Sequence, residues 1–213
     1  MDKITFENVV PSALKGRTSA SGIWGGRHSF VRGRTYLVEA ASGTGKSSLC
    51  AYVYGYRNDY SGRITFDGTD IAKLGKSAWR RLRLTSLSLM FQELRLFGEL
   101  TAIENVRLKN NLTHHKNDND IHTLFDRLGI ADKEDTPVSL MSYGQQQRVA
   151  FIRALCQPFD FLFMDEPVSH LDDSNATMLA DILAEELDAR GACAVVTSVG
   201  RKMKFDFDES ITL

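Results

Sequence analysis

The chain has almost no excess of charge in either sign. Lys and Arg number 26 against 27 Asp and Glu, a formal net charge of −1. No global basic field therefore argues for nucleic acid or an anionic membrane as a partner. Cysteine is scarce: Cys50, Cys156 and Cys193 stand far apart in apolar surroundings. That predicts buried free thiols in a reducing compartment, not disulfides or metal ligands. No apolar run approaches the roughly 18–20 residues of a membrane span. Met1-Asp2-Lys3-Ile4 does not open a signal peptide. Internal repeats and low-complexity segments are lacking. What is there is 213 residues, 43% apolar and 25% charged, enough for one large domain, or a domain with a subdomain, around a real core.

The stretch Ala40-Ala41-Ser42-Gly43-Thr44-Gly45-Lys46-Ser47-Ser48 follows an apolar run, Tyr36-Leu37-Val38, and precedes a helical pattern from Ser47 to about Tyr56. Strand, Gly-rich turn and helix in that order are the context of a phosphate-binding loop. Gly43 and Gly45 let the backbone turn tightly, so successive N–H groups point at one anion. The helix adds its positive N-terminal end. Lys46 is suited to reach the β- and γ-phosphates, and the Ser47 hydroxyl to help hold Mg²⁺. The strict pattern has Gly where this chain has Ala40, a cost on the order of 1 kcal/mol if the position needs φ > 0. The competing reading is a Gly-rich turn that binds nothing.

From the start, Ile4 to Val10 reads as a strand and Pro11 to Gly26 as a surface loop. His28–Val31 and Thr35–Val38 are candidate strands joined by the turn Arg32-Gly33-Arg34. Arg63–Phe66 is a short strand ending in a turn signal. Ser77–Leu82 reads as a helix with Arg80 and Arg81 on a solvated face and Arg83 just beyond. Ser86–Phe91 is a strand closed by Gln92. From Gln92 to Met141 the pattern turns helical, with Thr101–Lys109 and Asp120–Leu128 as segments. His114 and His115 sit in a polar loop without the carboxylate or Cys spacing of a metal site. Ser142 is a candidate N-cap for a helix reaching Cys156, and Gly144 allows close backbone approach, so a second phosphate-binding helix N-terminus is open here beside an ordinary capped helix.

Phe161 to Met164 form a buried central strand, and Asp165 and Glu166 emerge at its carboxyl end, where open α/β sheets place their ligands. Asp165 suits Mg²⁺ and Glu166 suits accepting a proton from water. Asp173–Arg190 reads as a long helix with Leu179, Ile182, Leu183 and Leu187 on one face. Ala192–Thr197 is a buried strand, and Ile211–Leu213 the last.

In this order the phosphate loop, Gln92, Ser142–Gln145, Asp165–Glu166 and Ser169-His170-Leu171-Asp172 resemble an ABC transporter ATPase over essentially the whole chain. The arginine-rich helix before Leu89-Met90-Phe91-Gln92, with Phe97 and Leu100–Val106, resembles the subgroup of lipoprotein-release, macrolide-export and cell-division ATPases. The resemblance implies an α/β P-loop fold: a RecA-like core with an antiparallel β subdomain (residues 1–91 and 157–213) and an inserted helical subdomain (92–156). It implies ATP and Mg²⁺. Ser42, Gly43, Thr44, Gly45, Lys46, Ser47 and Ser48 then bind the nucleotide. Ser47, Gln92 and Asp165 hold the metal, Glu166 is the catalytic base, and Gln92 and Ser198 complete the catalytic set. Ser142, Gly144 and Gln145 contact the nucleotide of the opposite subunit in a head-to-tail dimer, and Asp172 lies at the seam.

The implied partners are a permease-type integral membrane subunit, met through the helical subdomain near Leu94, Leu96 and Phe97, and another ABC ATPase in a homo- or heterodimer. Nucleic acid is not among them. The implied location is cytoplasmic, peripheral on the inner face of the cell membrane. The chain departs from the family pattern at Ala40, at Tyr143 for a signature Gly, and at His170 for a small residue. Ser198 stands where a switch histidine belongs. Ala13 falls near the place of the adenine-stacking aromatic, with Trp24 and Tyr36 as substitutes. The expected function is an ATPase subunit driving a membrane partner; the alternative is a low-turnover ATP-binding regulatory subunit.

Overall fold

The computed structural model describes residues 1–16, 22–39, 41, 43–200 and 203–213. In chain order its first strands and helix are β1 (Lys3–Pro11), β2 (Arg27–Val31), β3 (Thr35–Glu39), α1 (Lys46–Val53), β4 (Tyr60–Phe66) and β5 (Thr69–Asp70). Then come α2 (Lys76–Thr85), β6 (Leu87–Met90), α3 (Ala102–Asn110), α4 (Asp118–Arg127) and α5 (Tyr143–Leu155). The chain ends with β7 (Phe161–Asp165), α6 (Asp173–Arg190), β8 (Cys193–Ser198) and β9 (Glu209–Thr212).

A parallel sheet in the order β6-β7-β8-β3-β9 forms the centre. Its inner strands β7 and β8 are buried along their whole length, as strands covered on both faces demand, whereas the edge strand β9 is buried only at Ile211. Phe161, Phe163, Cys193 and Val195 face a cluster built with α1 and the antiparallel sheet. Their neighbours Leu162, Met164, Ala194 and Val196 face the other way, into a cluster that continues through α5, α6, α3 and α4. The antiparallel sheet runs β2-β1-β4-β5.

The turn at 32–34 therefore joins two sheets instead of closing a hairpin. β2 pairs with β1, while β3 lies between β8 and β9. Burial decides this: Tyr36, Leu37 and Val38 are all buried, which a two-sided central position satisfies, whereas β2 is buried only at Phe30. Arg83 lies within α2, not beyond it. Its guanidinium donates to the carbonyls of Tyr54 and Gly55, so it does not share the exposure of Arg80 and Arg81. Cys50, Cys156 and Cys193 are buried free thiols.

Side-chain caps mark where the helices of the middle stretch begin. Thr101 with Glu104, Asn117 with Asp120 and Ser142 with Gln145 each form a reciprocal capping box. Each cap stabilises its helix by about 1 kcal/mol. Among the described residues no helix is long and apolar enough to cross a membrane.

Candidate active site

Strand order brings the motifs together. β3 and β7 are parallel with β8 between them, so their carboxyl ends share one edge. The phosphate loop leaves β3, the acidic pair ends β7, and register sets Thr197 beside Asp165 and Ser198 beside Glu39.

The loop turns through Gly43 and Gly45, with φ of 82° and 102°. Gly45 is required twice over: its φ is left-handed, and a Cβ there would lie 3.1 Å from Trp24 Nε1. Trp24 is buried and its indole N–H donates to the Thr44 carbonyl at 3.0 Å, so it props the loop from beneath. Ala40 and Ser42 lie outside the described residues. Lys46 Nζ donates to the Ala41 carbonyl at 2.9 Å. Burial lowers the Lys46 pKa, opposed by the nearby charges of Glu166 and Asp165. The Ser48 hydroxyl accepts from Arg57 at 3.1 Å.

Gly43, Gly45, Lys46, Ser47, Ser48, Gln92 and Glu166 line one cavity of about 230 Å³, together with Pro11, Ala13 and Leu14. Ala13 thus lines the same cavity as the loop, and Trp24 and Tyr36, both buried, are not available to stack on a base. An adjoining cavity is lined by Ser47, Gln92 and Asp165. The Ser47 hydroxyl donates to Gln92 Oε1 at 3.4 Å. Hydroxyl, amide and carboxylate oxygens converging there are the hard donor set that Mg²⁺ prefers.

Two residues overlooked in the sequence hold the acidic pair. Thr197 Oγ1 donates to Asp165 Oδ1 at 2.5 Å, wholly buried. The same hydroxyl accepts the Glu166 N–H at 3.2 Å. Glu166 sits at φ 54°, left-handed for a non-glycine residue. Gln147 Nε2 donates to its carbonyl at 3.1 Å, closing the clamp. Strain of this kind, on the order of 1–3 kcal/mol, persists where surroundings over-determine it and clusters at functional sites. Neither residue carries a motif of its own; only the β7–β8 register and the course of α5 reveal them.

Ser142, Gly144 and Gln145 do not line these cavities. The Ser142 hydroxyl accepts the Gln145 N–H at 3.3 Å, and Gln145 Oε1 accepts the Ser142 N–H at 2.9 Å. They form the capped N-terminus of α5, with Ser142 exposed and Gly144 and Gln145 half-buried. Gly144 approaches the His170 carbonyl so closely that a Cβ would sit 3.1 Å from it. Tyr143 rests edge-on against the His170 ring, centroids 4.3 Å apart. Ser198 is buried and borders a space of about 10 Å³ that it shares with Glu166 and Ser169. Asp172 caps α6 through the Asn175 N–H, which holds its carboxyl below the ordinary range.

Beyond Gln92, Leu94 and Arg95 both have positive φ, 57° and 49°. Arg153 of α5 donates to the carbonyls of both. Leu94 is 3% exposed and Leu96 is only partly so, hence of the three apolar residues expected on a docking surface Phe97, at 56%, is the exposed one. Leu94 turns into the hydrophobic cluster of the helices, while Arg153 satisfies its carbonyl.

A parallel sheet with a phosphate loop at its switch point, a paired carboxylate strand and a helical insertion define a P-loop nucleotide hydrolase cassette. The sequence profile of the ABC transporter family matches residues 27–169, and the chain belongs to that family. It is an ABC transporter ATPase subunit. An uncharacterised ABC transporter ATP-binding protein, YbbA of Escherichia coli K12, is 34% identical over 155 residues, covering 71% of this chain and 68% of that one. The lipoprotein-releasing system ATP-binding protein LolD of Cereibacter sphaeroides is 29% identical over 188 residues, covering 87% and 84%. The solved dimer of the bacterial ABC transporter cassette MJ0796 superposes with a TM-score of 0.77 at 21% identity, over 91% of this chain and 87% of that one. MJ0796 is also solved in a post-hydrolysis state bound to ADP and Pi.

Proposed function

We propose that this chain binds Mg²⁺-ATP at the Lys46 loop and hydrolyses it with Glu166 as base, in a head-to-tail cassette dimer that drives a membrane subunit. The observation carrying this is that Lys46, Ser47, Gln92 and Glu166 line one cavity while Thr197 and Gln147 fix the acidic pair beside it. Lys46 releases the Ala41 carbonyl and pairs with the β- and γ-phosphates, helped by the N–H groups of the loop and α1. Ser47, Gln92 and Asp165 hold Mg²⁺, which supplies charge neutralisation on the phosphate oxygens. Glu166 accepts the proton of the attacking water. Ser198 lines the Glu166 side and offers a hydroxyl where a cation would otherwise stand.

Ser142, Gly144 and Gln145, held by the capping box at the start of α5, serve the nucleotide of the second cassette. A role of holding ATP without turnover is not favoured, since the Glu166 clamp preserves a base in strained geometry. The helical lobe, 92–156, docks on a permease-type subunit at the inner face of the membrane, with Phe97 at the contact. The relative LolD is by name the ATP-binding protein of a lipoprotein-releasing system. ATP affinity of the wild type and Lys46→Ala by calorimetry is the test; equal affinities would remove the central claim.

A further inference from the structure

The cavity that holds the Lys46 loop is lined in two unlike ways. Its polar side chains all come from α1, the Gln92 loop and the acidic strand: Lys46, Ser47, Ser48, Gln92 and Glu166. Apart from the glycines, the remaining lining is Pro11, Ala13 and Leu14, wholly apolar. This apolar part abuts the loop, since a Cβ on Gly45 would lie 3.2 Å from Leu14 Cδ1. Ala13 is exposed and Leu14 half-buried, so together they make an open shelf.

The shelf offers a base neither an edge contact nor a ring. Pro11 has no N–H to give. The Ser12 N–H donates to the Asp59 carbonyl at 2.9 Å, and the Lys15 N–H closes the turn on the Ser12 carbonyl. From Pro11 to Gly22 the sequence contains no Phe, Tyr, Trp or His. Trp24 and Tyr52 are both buried, with the indole N–H on the Thr44 carbonyl and the phenol on the Asp59 carbonyl at 3.1 Å. Arg57, which donates to Ser48, is not among the lining residues, and its Nε is held by Asp59 at 2.8 Å. One base is told from another by hydrogen bonds to its edge, which reject a ligand lacking the group by about 10⁴–10⁵-fold; apolar contact separates ligands far less. A stacking ring adds about 5- to 150-fold to affinity. The phosphates are the same in every nucleotide, and the loop N–H groups, the α1 N-terminus and Lys46 all act on them.

We infer that this site selects the triphosphate and not the base: its substrates are nucleoside triphosphates at large, with the base lying on the Ala13–Leu14 shelf through undirected apolar contact. This rests on the Lys46 loop being the nucleotide site, as proposed above. With the phosphates on the loop, Pro11, Ala13 and Leu14 are the lining left for the nucleoside. Ala13 is the specificity-determining position, because it is exposed and a ring placed there would supply the stacking face that the shelf lacks.

The test is calorimetric titration of the full chain with ATP, GTP, CTP, UTP and inorganic tripolyphosphate, without Mg²⁺ so that no turnover intrudes. The wild type, Ala13→Tyr and Lys46→Ala are compared. For the wild type, the four nucleotides should bind within about fivefold of one another, and tripolyphosphate within about tenfold of ATP. Ala13→Tyr should tighten ATP and GTP by about 5- to 150-fold and leave tripolyphosphate within about twofold, which also shows that the variant is folded. Wild-type binding of ATP more than about tenfold tighter than both UTP and tripolyphosphate would overturn the inference, whatever Ala13→Tyr does. Unchanged ATP affinity in an Ala13→Tyr chain that still binds tripolyphosphate would refute the placement of the base on this shelf. If Lys46→Ala binds ATP and tripolyphosphate as tightly as the wild type, or if none of the five binds the wild type, the nucleotide site itself is misassigned and the reading beneath fails as well.

Discussion

The Tyr143 hydroxyl donates a 2.9 Å hydrogen bond to the backbone carbonyl of Gln92, 51 residues away in the chain. Tyr143 is the first residue of α5, and Gln92 reaches Ser47 through its side chain. One residue thus ties α5 to the Gln92 loop that follows β6. Arg153, near the other end of α5, grips the same loop at Leu94 and Arg95. The loop is held at two points by one rigid rod.

Tyr143→Phe removes only the hydroxyl of a partly exposed pair, so the loss of stability is about 1 kcal/mol or less. The expected effect is functional: ATP affinity within about twofold of wild type, but a reduced rise in turnover when the membrane subunit is added. An unchanged stimulation ratio would show that the bond is incidental.

Arg153→Met frees the carbonyls of two left-handed residues and leaves them without donors. A fall in unfolding free energy of about 1–3 kcal/mol is expected by urea denaturation. Faster proteolysis at Arg95 should accompany it. Arg95→Gly in the Arg153→Met background should recover about 1 kcal/mol, because glycine bears no Cβ penalty at that φ.

Thr197→Val keeps shape but deletes the hydroxyl that orients Asp165. Because ligand-orienting partners govern metal affinity by about 10–100-fold, the Mg²⁺ concentration giving half-maximal ATPase activity should rise by that factor. Nucleotide affinity measured without Mg²⁺ should stay as it was. Equal losses with and without the metal would point to general unfolding of the strand end.

Lys109 titrates near pH 8 in the folded chain against an ordinary 10.5. Below pH 8 both folded and unfolded states are protonated, and the buried charge costs stability in full. Between pH 8 and 10.5 the unfolded state binds the extra proton, so stability rises with pH. Lys109→Met should therefore stabilise the isolated chain by about 1–3 kcal/mol at pH 7, with the gain fading by about pH 10.5. Melting curves at several pH values measure it.

Glu166→Gln should lower turnover by about 10²-fold or more while ATP remains bound. Ser198→His should act in two directions. An imidazole can carry charge to the γ-phosphate, raising kcat. The space beside Ser198 is only about 10 Å³, so the larger ring should also cost about 1–3 kcal/mol of stability. Turnover and melting temperature measured together separate the effects.

Much was legible in the residues themselves. Apolar runs such as Phe161–Met164 read as strands because a sheet buried on both faces needs apolar residues at every position. Ser142 read as a helix start because a capping side chain acts within four residues of itself. Gly43, Gly45, Lys46 and the Asp165–Glu166 pair stood out as candidates for the same reason, since the chemistry proposed for them depends on local spacing. Other features needed the fold. That β2 and β3 part into different sheets, that Thr197 serves Asp165, that Leu94 turns inward and Lys109 is stranded among arginines all depend on contacts between distant segments. Periodicity states which residues are to be buried, whereas strand register and helix packing alone decide what each of them touches.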